Sequence, residues 1–234
     1  MKIATWNMQG GINRTYINQV VQATQANILC LQECGDLAPH LRNRQPIIAQ
    51  SGGIIGYTGY FVVGKGFMEC AYWENAWTQG GLAVLSNIGV LQYGIFDVFA
   101  IHGFTPANPR NLPWMTVRNP STGTNITIFS IHSPPVSRTT TMANVCNWNN
   151  AQIAQIDAIA GVGVNWACVG DFNADPTVNG YIVPAVGAIV RGNHATQQSG
   201  GILDYTVTNA SAFTYVQQTQ LAGASDHYPQ VFQW

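Results

Sequence analysis

Charge is what this sequence has least of. Asp, Glu, Lys and Arg make up 8% of its 234 residues, against the quarter that is usual in soluble domains. Ten acids and nine Lys and Arg leave a formal net charge of −1. The cations are scattered from Lys2 to Arg191 without a basic run, which argues against a strong nonspecific grip on a polyanionic backbone. Long apolar runs are missing as well, and none reaches the length of a membrane-spanning helix. Met1 leads straight into a core-type strand, so no signal peptide is read at this start. Cys30, Cys34, Cys70, Cys146 and Cys168 are an odd number of thiols, and at least one is left over from any disulfide set. Cys30 and Cys168 lie in apolar runs and are expected as buried thiols; a Cys34–Cys70 pair is left open. There is no CxxC pair with zinc-ligand spacing. A GxSxG elbow, a catalytic Cys/His signature, a P-loop and a GxGxxG turn are all absent. Fixed-period repeats, low-complexity tracts and linkers are absent too, so one domain over 1–234 is expected.

Apolar residues are plentiful at 47%. They allow a sizeable core and argue against disorder. Asn, Gln, Ser and Thr supply the polar surface, a composition that leans towards an exported protein. Residues 2–6 read as a short strand ending at Asn7. Tyr16, Ile17, Val20, Val21 and Ala23 recur at helical spacing and predict a helix over 15–26, stopped at Asn27. A buried strand follows over 28–31. Residues 34–56, with Pro39, Pro46 and a glycine pair, read as loop. Strands are expected over 59–66, 67–73, 81–86 and 96–101, and a loop over 105–113. A hairpin is expected with arms 114–118 and 126–131. Ala151, Ile153, Ile156 and Ile159 predict a second helix over 141–159, ended by Gly161 and Gly163. Later strands are expected over 167–169, 203–207, 213–216 and 230–234. Many strands with two main helices suggest a layered α/β sandwich, two sheets face to face with helices outside.

The polar residues that follow the apolar strands carry the chemical argument. Cys168-Val169-Gly170-Asp171-Phe172-Asn173 is a strand that ends at a glycine, then a carboxylate and a carboxamide two residues apart. Residues i and i+2 leave an extended chain on one face, so Asp171 and Asn173 aim at one point. Such a pair suits a hard cation and a phosphate held together, although a plain Asx-turn closed by Pro176 uses the same residues. Asn7, Glu33 and His132 also follow apolar strands, and each taken alone reads as a turn residue, a solvated carboxylate or a packed imidazole. Asp226-His227 before Tyr228-Pro229 alone reads as a pre-proline turn. Together they say more. Four of only ten acids (Glu33, Asp171, Asp204 and Asp226) fall in these motifs. Ligand sites in α/β sheets lie at such strand ends. Two imidazoles, four carboxylates and two carboxamides there suit metal-assisted hydrolysis of a phosphoester, with a histidine steered by a carboxylate to activate water.

The ordered series Thr5-Trp6-Asn7, Gln32-Glu33, Ser130-Ile131-His132, Gly170-Asp171-Phe172-Asn173, Leu203-Asp204-Tyr205 and Ser225-Asp226-His227-Tyr228-Pro229 resembles the endonuclease/exonuclease/phosphatase (DNase I-like) superfamily. Within it, residues 6–10, 200–205 and 221–229 are similar to the B subunits of cytolethal distending toxins. The resemblance implies a four-layer α/β/β/α sandwich and divalent-metal hydrolysis of phosphoesters, with Mg²⁺, or Mn²⁺ or Ca²⁺ in its place. It implies Glu33 as the main metal ligand with Asn7 beside it and Asp226 near the metal. Asp171 and Asn173 orient nucleophile and phosphate, and His227 is the general base steered by Asp204. His132 binds the phosphate or assists the leaving oxygen, and Arg110 is a phosphate-binding arginine. Where the family usually has an Arg/Tyr or Tyr-x-Glu element, this chain reads residues 66–72, and Glu69 is a candidate support for His132. DNA is the leading substrate. A phosphoinositide or another small phosphoester is the alternative, favoured by the sparse positive charge. A noncatalytic module bound to toxin partner subunits is the reading of a different class.

Overall fold

The structure is a computed structural model and describes residues 1–10, 14–49, 52–74, 80–96, 110–178, 186–221 and 224–234. The chain opens with β1 (Lys2–Asn7), α1 (Thr15–Thr24) and β2 (Ile28–Gln32). A short 3₁₀ turn precedes β3 (Arg42–Ile48), followed by β4 (Ile54–Val63), β5 (Gly66–Trp73), β6 (Leu82–Ser86) and β7 (Val90–Phe96). Then come β8 (Leu112–Arg118), β9 (Asn125–His132), α2 (Met142–Ala160) and β10 (Asn165–Asp171). β11 (Ala188–Val190), β12 (Asp204–Thr208), β13 (Thr214–Gln218) and β14 (Gln230–Gln233) complete it.

Two strand–helix–strand units set the frame. β1 and β2 pair in parallel across α1, and β9 and β10 pair in parallel across α2. Parallel neighbours need such a crossover. One sheet has the order β13-β14-β1-β2-β6-β5-β4-β3 and the other β11-β12-β10-β9-β8-β7. Alternation along the strands sorts the core into three layers of contact. Leu29 and Leu31 of β2 join Ile17 and Val20 of α1. Ile28 and Cys30, on the opposite face of β2, meet Ile126 and Ile128 of β9 and Val169 of β10 between the sheets. Phe129 and Ile131, on the other face of β9, pack with Val145, Ile153 and Ile156 of α2. Each such fully buried aliphatic contributes about 1.5–3 kcal/mol. Three contact layers mean four layers of structure, and the expected α/β/β/α sandwich is the observed one.

The helices stop for local reasons. The Thr141 side chain accepts from Asn144 N and caps α2, a contact worth about 1 kcal/mol. Gly161, at φ +84°, turns the chain away after it. α1 ends two residues before the expected Ala26, because Gln25 adopts a left-handed conformation and its N–H closes on Val21 O. Among the described residues, no helix is long and apolar enough to cross a membrane.

Three sequence expectations need correction. Residues 42–48 form β3 rather than loop. β3 is the edge of the larger sheet, so its residues are almost all exposed and show no alternation. An edge also tolerates Pro46, which has no N–H to give. The strand expected at 96–101 lies earlier, at Val90–Phe96, and residues 97–101 fall outside the described ones, as do 105–109 of the expected loop. Glu69 does not support His132. In β5 it pairs with Ser86, while the site end of β6 is marked by Ala83 opposite Leu31. Its carboxylate accepts instead from Val90 N. All five cysteines are free and buried, Cys34 and Cys70 included.

Candidate active site

The parallel strands point the same way in both sheets, so their polar C-terminal residues gather at one edge. Asn7 stands opposite Gln32 in one sheet, and Asp171 stands between His132 and Asp204 in the other. Buried polar contacts then tie the sheets together. Asn7 Nδ2 donates to Asp171 Oδ2 at 2.9 Å. Gln32 Nε2 donates to Ser130 Oγ at 3.0 Å, and its Oε1 accepts from Thr5 Oγ1. Gly170 makes this approach possible. A Cβ there would lie 2.1 Å from Ile131 O and 3.0 Å from Gln32 Nε2, at φ +154°. Glu33 and Asn173, one and two residues beyond their strands, both hold φ +48°. Left-handed conformations outside glycine are strained and cluster at functional sites.

Asp171 is the centre of the array. Oδ1 accepts from Asn173 N at 2.8 Å. Oδ2 lies 3.6 Å from His132 Nε2 and 3.8 Å from His227 Nε2. Burial and the nearby Asp204 push its carboxyl up to about 7, against the opposing pull of His227, Asn7 and Asn173. His227 is fixed by a 2.7 Å hydrogen bond from Nδ1 to Asp204 Oδ2. Burial alone would lower its pKa, but Asp204, Asp171 and Asp226 together carry it up to about 10. Asp204 is held in turn through its N–H to Thr196 Oγ1.

His132 behaves in the opposite way. Burial, Arg110 and His227 hold its pKa well below the ordinary imidazole value. It is therefore neutral, and its approaches to Glu33 Oε1 at 3.5 Å and to Asp171 are not ion pairs. Arg110 Nη1 donates to Ser133 O at 3.0 Å, and Asn173 Nδ2 donates to the same oxygen at 2.7 Å. Burial pulls the Arg110 pKa down, while Asp171 and Glu33 oppose it. Asp226 sits at the rim, with Oδ1 4.0 Å from His227 Nε2 and Oδ2 accepting from Gln197 Nε2. The structure thus gathers Asn7, Glu33, Arg110, His132, Asp171, Asn173, Asp204, Asp226 and His227 around one edge. Sequence reasoning missed Ser133, Asn149, Thr196 and Gln197, which brace them. Asn149 alone left a signal, as a polar residue on the apolar stripe of the second helix.

The donor set fits a hard divalent cation, which prefers carboxylate and amide oxygens. Asp171, Asp204 and His227 can bring ligand atoms within 4.8 Å of one another. The Asp204–His227 hydrogen bond already uses one pair of those atoms. Among the described residues, the partly exposed carboxylate of Glu33 makes no hydrogen bond of that strength.

The pKa values have a consequence for stability. A histidine raised from 6.5 to about 10 on folding contributes stability that is complete below 6.5 and lost as pH rises through 10. Asp171, raised from 3.8 to about 7, acts in the same direction at lower pH. The metal-free protein should therefore lose stability as pH rises through the upper window; in the lower one His132, held below its ordinary pKa by burial, acts in the opposite direction to Asp171. Urea midpoints across the upper window should fall for the wild type and flatten for Asp204→Asn. A flat wild-type profile there would contradict a His227–Asp204 ion pair.

The model of the Endonuclease/Exonuclease/phosphatase family matches residues 4–227. The chain belongs to this family. No curated protein sequence matches the chain. Among solved structures, it is similar to the cytolethal distending toxin of Haemophilus ducreyi at 21% identity and TM-score 0.72, covering 99% of this chain and 96% of that one. It is also similar to the mannosyl-6-phosphatase Bt3783 of Bacteroides thetaiotaomicron, at 16% identity and TM-score 0.63, covering 100% and 98%. The human Nocturnin catalytic domain with bound sulfate matches at 14% identity and TM-score 0.63, covering 99% and 93%. At these identities the neighbours share the fold. Members of the endonuclease/exonuclease/phosphatase family are hydrolases acting on phosphoesters and generally depend on a divalent metal.

Proposed function

We propose that this chain is a Mg²⁺-dependent phosphodiesterase that cuts DNA as a DNase I-like endonuclease. The observation that carries the reading is the His227–Asp204 hydrogen bond, with His227 Nε2 left facing the buried Asp171. An imidazole oriented by one carboxylate and open at its other nitrogen is arranged to take a proton from water. Glu33 would hold the metal, with Asn7 and Asp226 beside it; Mn²⁺ or Ca²⁺ fits the same oxygens. Bound there, the ion would neutralise charge on the phosphate oxygens. The protein's own groups do the rest. Asp171 orients the attacking water. Asn173 and Arg110 each spend an N–H on Ser133 O and keep others for the phosphate. His132, neutral and buried, can donate a hydrogen bond to a phosphate oxygen or to the leaving oxygen. His227 must be neutral to act as base, so positive charge beside the carboxylates would favour its working form.

A second reading uses the same site on a small phosphoester such as a phosphoinositide headgroup. The net charge of −1 and the absence of a basic run favour it, since a compact anion needs less positive surface than a duplex. A noncatalytic module docked on toxin partner subunits would not need the buried His227–Asp204–Asp171 array. Export is our proposal for its location, resting on composition. One experiment separates the substrates. The protein is given supercoiled plasmid in parallel with a phosphoinositide, in Mg²⁺ and in excess chelator. Nicking lost on chelation supports the endonuclease. Release of inorganic phosphate from the lipid without nicking supports the second reading.

A further inference from the structure

The buried stripe of α2 runs through Val145, Cys146, Trp148, Asn149, Gln152, Ile153 and Ile156. Asn149 sits in the middle of it and is fully buried. Asparagine is a mediocre helix former, and an amide taken from water without partners costs free energy. A buried asparagine in an apolar stripe therefore needs an explanation in its hydrogen bonds.

Asn149 uses both ends of its amide. Oδ1 accepts from the Ser133 hydroxyl, and Nδ2 donates to Phe172 O at 2.9 Å. Those two partners are the residues that leave β9 and β10 immediately after His132 and Asp171. Ser133 is itself a junction. Its N–H donates to Asp171 O at 2.9 Å. Its carbonyl receives Asn173 Nδ2 at 2.7 Å and Arg110 Nη1 at 3.0 Å. Asn173 N then closes on Asp171 Oδ1. One helix side chain thus spans two strand exits and fixes the groups that carry the proposed chemistry.

We propose that Asn149 is a positioning residue: its amide bridges Ser133 and Phe172 and so sets Asp171, Asn173 and Arg110 relative to His132. The catalytic half of this statement rests on the phosphoester-hydrolase reading; the structural half does not. Asn149 touches no reacting group. Its effect on rate comes through geometry, where a misplacement of about 1 Å can cost 10²-fold.

The test uses Asn149→Leu, which keeps similar bulk and removes both hydrogen bonds, and the double variant Ser133→Ala/Asn149→Leu, which also removes the stranded hydroxyl. The first readout is backbone amide exchange in the metal-free protein without substrate. Exchange at Ser133 and Asn173 should quicken about tenfold or more, as local opening no longer has to break the bridge. Val169, inside β10, should keep wild-type protection. The second readout is steady-state hydrolysis. In Asn149→Leu, kcat should fall by about 10²-fold and by more than KM changes. In the double variant, stability should recover in part, because no buried hydroxyl is left unpaired, while kcat should not. Unchanged exchange at Ser133 and Asn173 would overturn the bridge. Recovery of kcat together with stability would show that Asn149 serves folding alone. If the wild type hydrolyses no phosphoester, the function reading fails, and the exchange data still decide the bridge. If Asn149→Leu does not fold, Ser133→Ala, which removes only the hydroxyl, is read by the same amides.

Discussion

His227→Ala should lower turnover by about 10²–10⁴-fold, the usual contribution of a positioned general base. The loss should fall on kcat, because no observed contact makes His227 a binding group. Its Nδ1 is spent on Asp204 at 2.7 Å and its Nε2 faces Asp171 and Asp226. The substitution also strands Asp204. Among the described residues, one oxygen of that carboxylate is already buried without a partner, and removal of the imidazole leaves the other unpaired. A stability cost of about 1–3 kcal/mol follows, so thermal melts must accompany the rates. His227→Gln, which can still donate to Asp204, should recover stability without recovering turnover. A folded variant within tenfold of wild-type kcat would exclude His227 as the base.

Asp171→Asn should also cost about 10²-fold or more in kcat, since it removes the charge that orients the attacking water. Its stability should show a different signature. The wild-type carboxyl is raised from 3.8 to about 7 chiefly by burial, so ionising it in the folded state is unfavourable. The contribution of Asp171 to wild-type stability therefore declines as pH rises through that window, and the variant lacks the titrating group. Any deficit of Asp171→Asn at low pH, from weakened bonds to Asn7 and Asn173, should shrink as pH rises towards 7. Denaturant midpoints of both proteins against pH measure this. A deficit that grows with pH would mean that the folded protein favours the charged form of Asp171.

The parts of this protein that were legible in its sequence are those where a local pattern and a global role coincide. Apolar runs ending in Asn7, Glu33, His132 and Asp171 could be read as strands with functional ends, and the structure puts all four at one edge. α2 was legible from its period and from Gly161, while its Thr141 cap emerged only in the structure. What failed depended on register or on long-range contact. β3 is an exposed edge strand, so no buried face imposed an alternation. Glu69 and Tyr72 lie on one strand only three residues apart, a distance of roughly 10 Å. Only the pairing of Glu69 with Ser86 and of Tyr72 with Ala83 shows which of them is nearer the site. Asn149 reaches Ser133 and Phe172 through tertiary folding alone, and its only trace in the sequence is a polar residue where the helix period calls for an apolar one.

The edge of the sandwich that holds His227 is expected to hydrolyse phosphodiesters with a divalent metal. The most direct measurement is conversion of supercoiled plasmid to nicked circles in Mg²⁺, with wild type beside His227→Ala under identical conditions. Nicking by the wild type should be abolished by chelator and reduced at least 10²-fold in the variant. Equal nicking by the two proteins would contradict this expectation, as would a folded wild type that leaves the plasmid intact at high enzyme concentration.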